Sequence, residues 1–194
     1  MSRHQFTRRA IFQGIAVAAV AAIALPGVAS AQSREMPSAE RILRQLDSSP
    51  RNRVAPRNRV TVQEFKRRPD LRRAAPSIEI QSINFEFGSA TIPRSQYRKA
   101  EQIAQALKQL MQRRRGTRIL IEGHTDAVGS NAANLALSER RAESLKRLLV
   151  REFGIPSRML ETVGYGEEFL LVPTQNENWQ NRRVTLRRVD EFLR

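Results

Sequence analysis

A chain of 194 residues, 40% of them hydrophobic, can build one domain with a buried core and hardly two. It contains no cysteine, which excludes disulfides, thiolate metal sites, a cysteine nucleophile and a lipid carried on an N-terminal cysteine. The net charge of +15 falls as +3 over residues 1–33, +7 over 34–76 and +5 over 77–194, so most of the excess precedes the stretch with core-forming patterns.

Residues 1–31 are expected to be a signal peptide. Arg3, Arg8 and Arg9 precede the apolar run Ile11–Leu25, and Pro26, Gly27 and the small residues Ala29–Ala31 follow it. A membrane-spanning helix needs roughly 17–25 apolar residues, and this run is shorter, which favours removal after Ala31; an uncleaved anchor is the alternative. The order Thr7-Arg8-Arg9-Ala10-Ile11-Phe12 resembles the twin-arginine export motif, with Ile11 where that motif usually has phenylalanine, so the Sec and twin-arginine routes both stay open. Export to the periplasm changes the meaning of the charge. A basic stretch ordinarily suggests nucleic acid, but an exported chain meets anionic wall polymer, lipid headgroups and outer-membrane proteins instead.

Residues 32–76 are rich in Arg, Pro, Ser and Asn and repeat "PRNRV" at Pro50–Val54 and Pro56–Val60. This composition predicts a basic flexible arm, with one short helix over Ala39–Leu46. It is also too short and polar for an outer-membrane barrel. The arm is the expected contact for anionic lipid or an outer-membrane protein, and no transmembrane segment is expected in the mature chain.

The folded domain is expected over 77–194. Ile78, Ile80, Ile83, Phe85 and Phe87 alternate as in a strand, with one slip near Ser82. Pro93 opens a helix whose apolar residues Ala100, Ile103, Leu107 and Leu110 recur at steps of three and four before Arg113–Gly116 stops it. "RILIEGHTD" (Arg118–Asp126) is a second strand that delivers His124, Thr125 and Asp126 into a loop. Ser138 is the expected cap of the next helix, with Ala142, Leu145, Leu148 and Leu149 as its buried stripe. "LETVGYG" (Leu160–Gly166) and "RVTLRRV" (Arg183–Val189) complete a β-α-β-α-β-β order. The predicted class is α/β of the α+β type, a two-layer sandwich with two helices on one face of a four-stranded mixed sheet.

Three readings of the 122–142 stretch compete. A metal or hydrolytic site would use His124 and Asp126, but the other histidine, His4, lies in the signal, so a metal would need mostly carboxylates, with Asp126, Glu122 and Glu86 supplying a weak hard-cation site at best. An aspartate two positions from His124 on one strand is poorly placed to orient it in a serine triad. A zwitterion site would place Asp126 on an ammonium and Arg141, in the first turn after Ser138, on a carboxylate. The same spacing also suits an ordinary Asp–Arg pair tying a loop to a helix. His124 is expected as a hydrogen-bonded framework residue and Trp179 as a loop anchor.

The stretch from Phe85 to Val189 resembles the OmpA-like C-terminal, peptidoglycan-binding domain family. The similarity is carried in order by "INFEFGSATI" (Ile83–Ile92), "IEGHTDAVGSNAANLALSERRAESL" (Ile121–Leu145), "VGYGEE" (Val163–Glu168) and "NRRVTL" (Asn181–Leu186). The resemblance implies noncatalytic binding of the diaminopimelate in the peptidoglycan stem, with no cofactor and no metal. Asp126 would take the ligand's ammonium and Arg141 its carboxylate, with Thr125 and Asn134 at supporting loop positions. Arg183 would brace the site or touch glycan, and Glu86 stands where many members have Asp. A scaffold role in the envelope, with wall binding secondary, is the alternative.

Overall fold

Four strands form one sheet in the order β1-β4-β2-β3. They are β1 (Ser77–Ile80), β2 (Ile119–Gly123), β3 (Leu160–Gly164) and β4 (Val184–Arg188). β2 and β3 run parallel, while β4 is antiparallel to both β1 and β2. This is the predicted mixed sheet. The computed structural model describes residues 35–81, 83, 85 and 89–194, so the expected signal peptide lies outside the described residues. β1 takes in Ile78 and Ile80 of the strand expected to run on to Phe87 and ends at Ile80; Phe87 itself lies outside the described residues.

Strand alternation sorts the core into two clusters. Ile78, Ile80, Ile119, Ile121, Leu160, Val184 and Leu186 face α4 (Tyr97–Arg113) and α5 (Asn131–Arg151). These are the two helices of the predicted sandwich. The opposite alternates, Leu120 and Val163, belong to a second cluster with Phe65, Ala74, Phe192 and Leu193. The far face of the sheet therefore carries a cover of its own.

That cover comes from the stretch expected as a flexible arm. The predicted short helix is present as α1 (Ala39–Asp47), capped by Ser38 and packed into the main core through Ile42, Leu43 and Leu46. Its end is tied to α4 where Arg114 Nε donates to Asp47 Oδ1 at 2.6 Å. Two further helices, α2 (Val62–Lys66) and α3 (Pro69–Ala74), lie over the second face. Thr61 and Glu64 make a capping box that starts α2, and Pro69 starts α3. Phe65, Leu71 and Ala74 have an apolar sheet face to cover, so the segment packs instead of hanging free, and Arg34–Arg194 forms one compact unit. Among the described residues no helix is long and apolar enough to cross a membrane.

α5 sits unusually close to the sheet, and glycines make that approach possible. A Cβ on Gly123 would stand 2.8 Å from the Ser138 carbonyl carbon, and one on Gly164 would stand 2.6 Å from the Ser138 hydroxyl oxygen. Ser138 is therefore inside the helix and buried against β2 and β3; it is not the cap. Ser130 caps α5, accepting from Ala133 N at 3.3 Å. Gly123→Ala is expected to push α5 off the sheet and destabilise the fold by about 1–3 kcal/mol. A urea midpoint equal to wild type would contradict that contact.

Candidate functional site

The register places Ile80, Val184, Gly123 and Gly164 at one end of the sheet. A cavity of about 190 Å³ opens at this end, lined in part by Phe85, His124, Arg141, Trp179, Arg182 and Arg183. α5 contributes Arg141 from its third turn, since the helix begins at Asn131 and not after Ser138.

Asp126 is buried, and its Oδ2 accepts from Arg182 Nη1 at 2.7 Å. The same Arg182 nitrogen reaches Glu177 Oε1 at 2.6 Å. Arg141 forms no ion pair among the described residues. Its Nε donates to the Ser89 carbonyl at 3.2 Å, and its guanidinium lies 4.9 Å from the Phe85 ring centre. Burial and then the neighbouring Arg182 charge push the Arg141 pKa down, while the Asp126 charge acts in the opposite direction. Arg141 is thus a cation with no paired anion among the described residues, close enough to Asp126 to feel its charge.

Of the other predicted residues, Asn134 and Thr125 fix the neighbouring loop and Arg183 lines the cavity. Asn134 is 6% exposed and gives its amide hydrogens to the Asp126 carbonyl (3.3 Å), the Val128 carbonyl (3.2 Å) and Glu167 Oε2 (2.7 Å), fixing the 126–130 loop. Thr125 is buried, with its backbone N–H donated to the Gly166 carbonyl at 2.9 Å. Arg183 is 7% exposed and donates from Nη2 to the Phe169 carbonyl at 2.8 Å. Burial pushes its pKa down to about 10, so it is a wall residue whose charge is costly to hide. Glu86 lies outside the described residues.

Arg182 and His124 line the cavity without having been expected there. Simple strand alternation would send Arg182 and Arg183 to opposite sides, yet both precede β4 and reach the same cavity. His124, expected as hydrogen-bonded framework, sits at the cavity with neither ring nitrogen hydrogen-bonded among the described residues. Its ring stacks on Tyr165 with centres 5.7 Å apart, and Nε2 stays 3.7 Å from Glu122 Oε2. Trp179, expected to anchor its loop, also lines the cavity.

Beneath His124, Glu122 is fully buried between two arginines. Arg72 forks onto it from α3 (3.1 and 2.9 Å) and Arg187 forks from β4 (2.7 and 3.1 Å). Burial alone would raise the Glu122 pKa; the charges and forked hydrogen bonds of Arg187 and Arg72 outweigh it and hold the carboxyl well below the usual range.

Burial pushes the His124 pKa down to about 4 from an ordinary 6.5. The unfolded chain therefore binds a proton near pH 6.5 that the folded chain refuses until about pH 4, so stability falls as pH drops through this window. Full protonation would cost about 3 kcal/mol. Glu122 adds a further loss at lower pH, where its carboxylate must be protonated. His124 is the only histidine after residue 31, so urea unfolding of protein beginning at Gln32 tests it without interference from His4. A stability profile flat from pH 7 to 4 would contradict the buried neutral ring.

Residues 84–184 match the sequence model of the OmpA family. The peptidoglycan-associated lipoprotein of Pseudomonas putida is 38% identical over 111 residues, covering 56% of this chain and 63% of that protein. The chain thus spans less than two thirds of that curated relative. The peptidoglycan-associated lipoprotein from Burkholderia pseudomallei, known from a crystal structure, is 33% identical; the alignment covers 62% of this chain and 95% of that one, with a TM-score of 0.47. The periplasmic domain of Helicobacter pylori MotB is similar in fold, with a TM-score of 0.50 at 20% identity over 58% of this chain and 72% of that one.

Proposed function

Because the chain belongs to the OmpA family, we propose that it binds cell-wall peptidoglycan without catalysis, in the periplasm of a Gram-negative envelope, and helps to anchor or organise that envelope. The diaminopimelate of the peptide stem is its ligand, with the ammonium at Asp126 and the carboxylate at Arg141. The observation that carries this reading is the cavity itself: three guanidiniums, Arg141, Arg182 and Arg183, surround it, and Asp126 is held beside it by one of them. Arg141 has no ion pair among the described residues, and a planar guanidinium presents a fork that matches a carboxylate. The name of a similar protein, the peptidoglycan-associated lipoprotein of Pseudomonas putida, points the same way.

The exposed arginines of the N-terminal stretch, including Arg51, Arg53, Arg57 and Arg73, add a second, salt-sensitive attraction to anionic wall polymer or lipid. Protein beginning at Gln32 should co-sediment with diaminopimelate-type peptidoglycan and remain partly bound when salt is raised. Complete release at moderate salt would leave only the nonspecific attraction and would overturn the cavity reading.

A further inference from the structure

We infer that Arg72, which lies outside the stretch matched to the family, is a positioning residue for the ligand cavity, and that the docked α2–α3 segment is part of the binding machinery. This rests on the reading that the cavity takes the wall's stem peptide. Arg72 reaches no cavity wall itself. Its guanidinium forks onto Glu122 and lies 4.0 Å from the Tyr165 ring centre and 3.9 Å from that of Phe169. The Tyr165 hydroxyl is tied to the same segment, donating to the Lys66 carbonyl of α2 at 2.7 Å. The two rings meet edge to face at 4.9 Å.

Each of these residues supports one wall of the cavity, Tyr165 through its ring and Phe169 through its backbone carbonyl. His124 has no hydrogen bond to either ring nitrogen among the described residues, so its orientation is set by stacking on Tyr165 and by packing. Arg183 is oriented by the carbonyl of Phe169. Tyr165 also follows the close approach of α5: its N–H donates to the Gly123 carbonyl, and Thr125 N–H donates to the Gly166 carbonyl, both at the start of the Asp126 loop. A guanidinium wedged against both rings thus fixes His124 and Arg183 together, from a helix on the far face of the sheet. If Arg72 is lost, Tyr165 and Phe169 lose a shared neighbour and Glu122 keeps one of its two forks.

The test compares variants of protein beginning at Gln32, which retains the whole compact unit, at a temperature where all are folded. Arg72→Met should bind a soluble diaminopimelate-containing stem peptide about tenfold more weakly. Arg72→Lys, which keeps the charge but cannot fork, should recover part of the loss. Leu46→Ala, a cavity-forming change in the core beneath α1, should lower stability yet keep wild-type affinity. Wild-type affinity in Arg72→Met would overturn the inference, as would an equal loss in Leu46→Ala. Tyr165→Phe removes only the tie to α2 and should weaken binding a few-fold; unchanged binding there would count against the segment's role even if Arg72→Met fails to fold. The ring resonances of His124 should shift in Arg72→Met and not in Leu46→Ala. That readout does not need the ligand. If wild type fails to bind the peptide, the cavity reading is wrong, and an unshifted His124 would independently sink the positioning role.

Discussion

Glu122→Ala should destabilise the protein by about 3–5 kcal/mol, well beyond the loss of any exposed ion pair in this fold. The carboxylate is fully buried and takes two forked guanidiniums, so its removal leaves Arg72 and Arg187 charged, close together and away from water. Hydrogen bonds from Arg187 to the Arg72 and Ala75 carbonyls would survive, but carbonyl dipoles do not replace a full negative charge. Glu122→Gln should be less damaging, because it keeps shape and one acceptor. Replacing all three groups by apolar residues of similar volume should recover much of the loss, since a buried ionic cluster is costly to break and not intrinsically strong. Urea unfolding followed by circular dichroism measures the difference. A loss below about 1 kcal/mol, the level of an exposed pair, would show that water reaches the cluster.

Removal of the proposed clamp should act on binding and spare stability. Asp126→Ala with Arg141→Ala is expected to weaken stem-peptide binding by on the order of 2–5 kcal/mol. The two single changes should differ in kind. Arg141→Ala removes a guanidinium that has no ion pair among the described residues, so the ligand's carboxylate loses its partner and little else in the protein moves. Asp126→Ala also frees Arg182, which then pairs with Glu177 alone, and removes the buried carboxylate proposed to hold the ligand's ammonium. That variant should lose preference for a ligand bearing an ammonium while keeping attraction for simple carboxylates. Equal loss of both ligand classes in the two variants would contradict the division of roles between them.

The order of strands and long helices was legible because their apolar periods are strong. The start of α5 was not. Its first turns present Asn134 and Ser138 to Gly123, Gly164 and Gly166, so the helix packs there through small and polar groups, and its apolar period begins only at Ala142. A serine that caps a helix and a serine buried within one look alike in sequence, and choosing Ser138 placed Arg141 two turns too early. The packing of the N-terminal segment was hidden for a different reason. Arg72 counts as surface charge in any local pattern, and the partner that buries it is 50 positions away. Phe65 and Leu71 are too sparse to give a period, yet they fit the second face of the sheet. Within the site, Asp126 and Arg141 came from spacing and resemblance, while Arg182 and His124 needed the strand ends in three dimensions.

At the heart of the proposed function is one cavity that recognises a single zwitterionic residue of the wall peptide. The decisive experiment is calorimetric titration of protein beginning at Gln32 with two soluble stem peptides, identical except for diaminopimelate or lysine at the third position. Lysine keeps the side-chain ammonium and lacks the carboxylate that would meet Arg141. Saturable one-to-one binding of the diaminopimelate peptide and markedly weaker binding of the lysine peptide are expected, with the difference abolished by Arg141→Ala. Equal affinity of the wild-type protein for both peptides would refute recognition through that carboxylate.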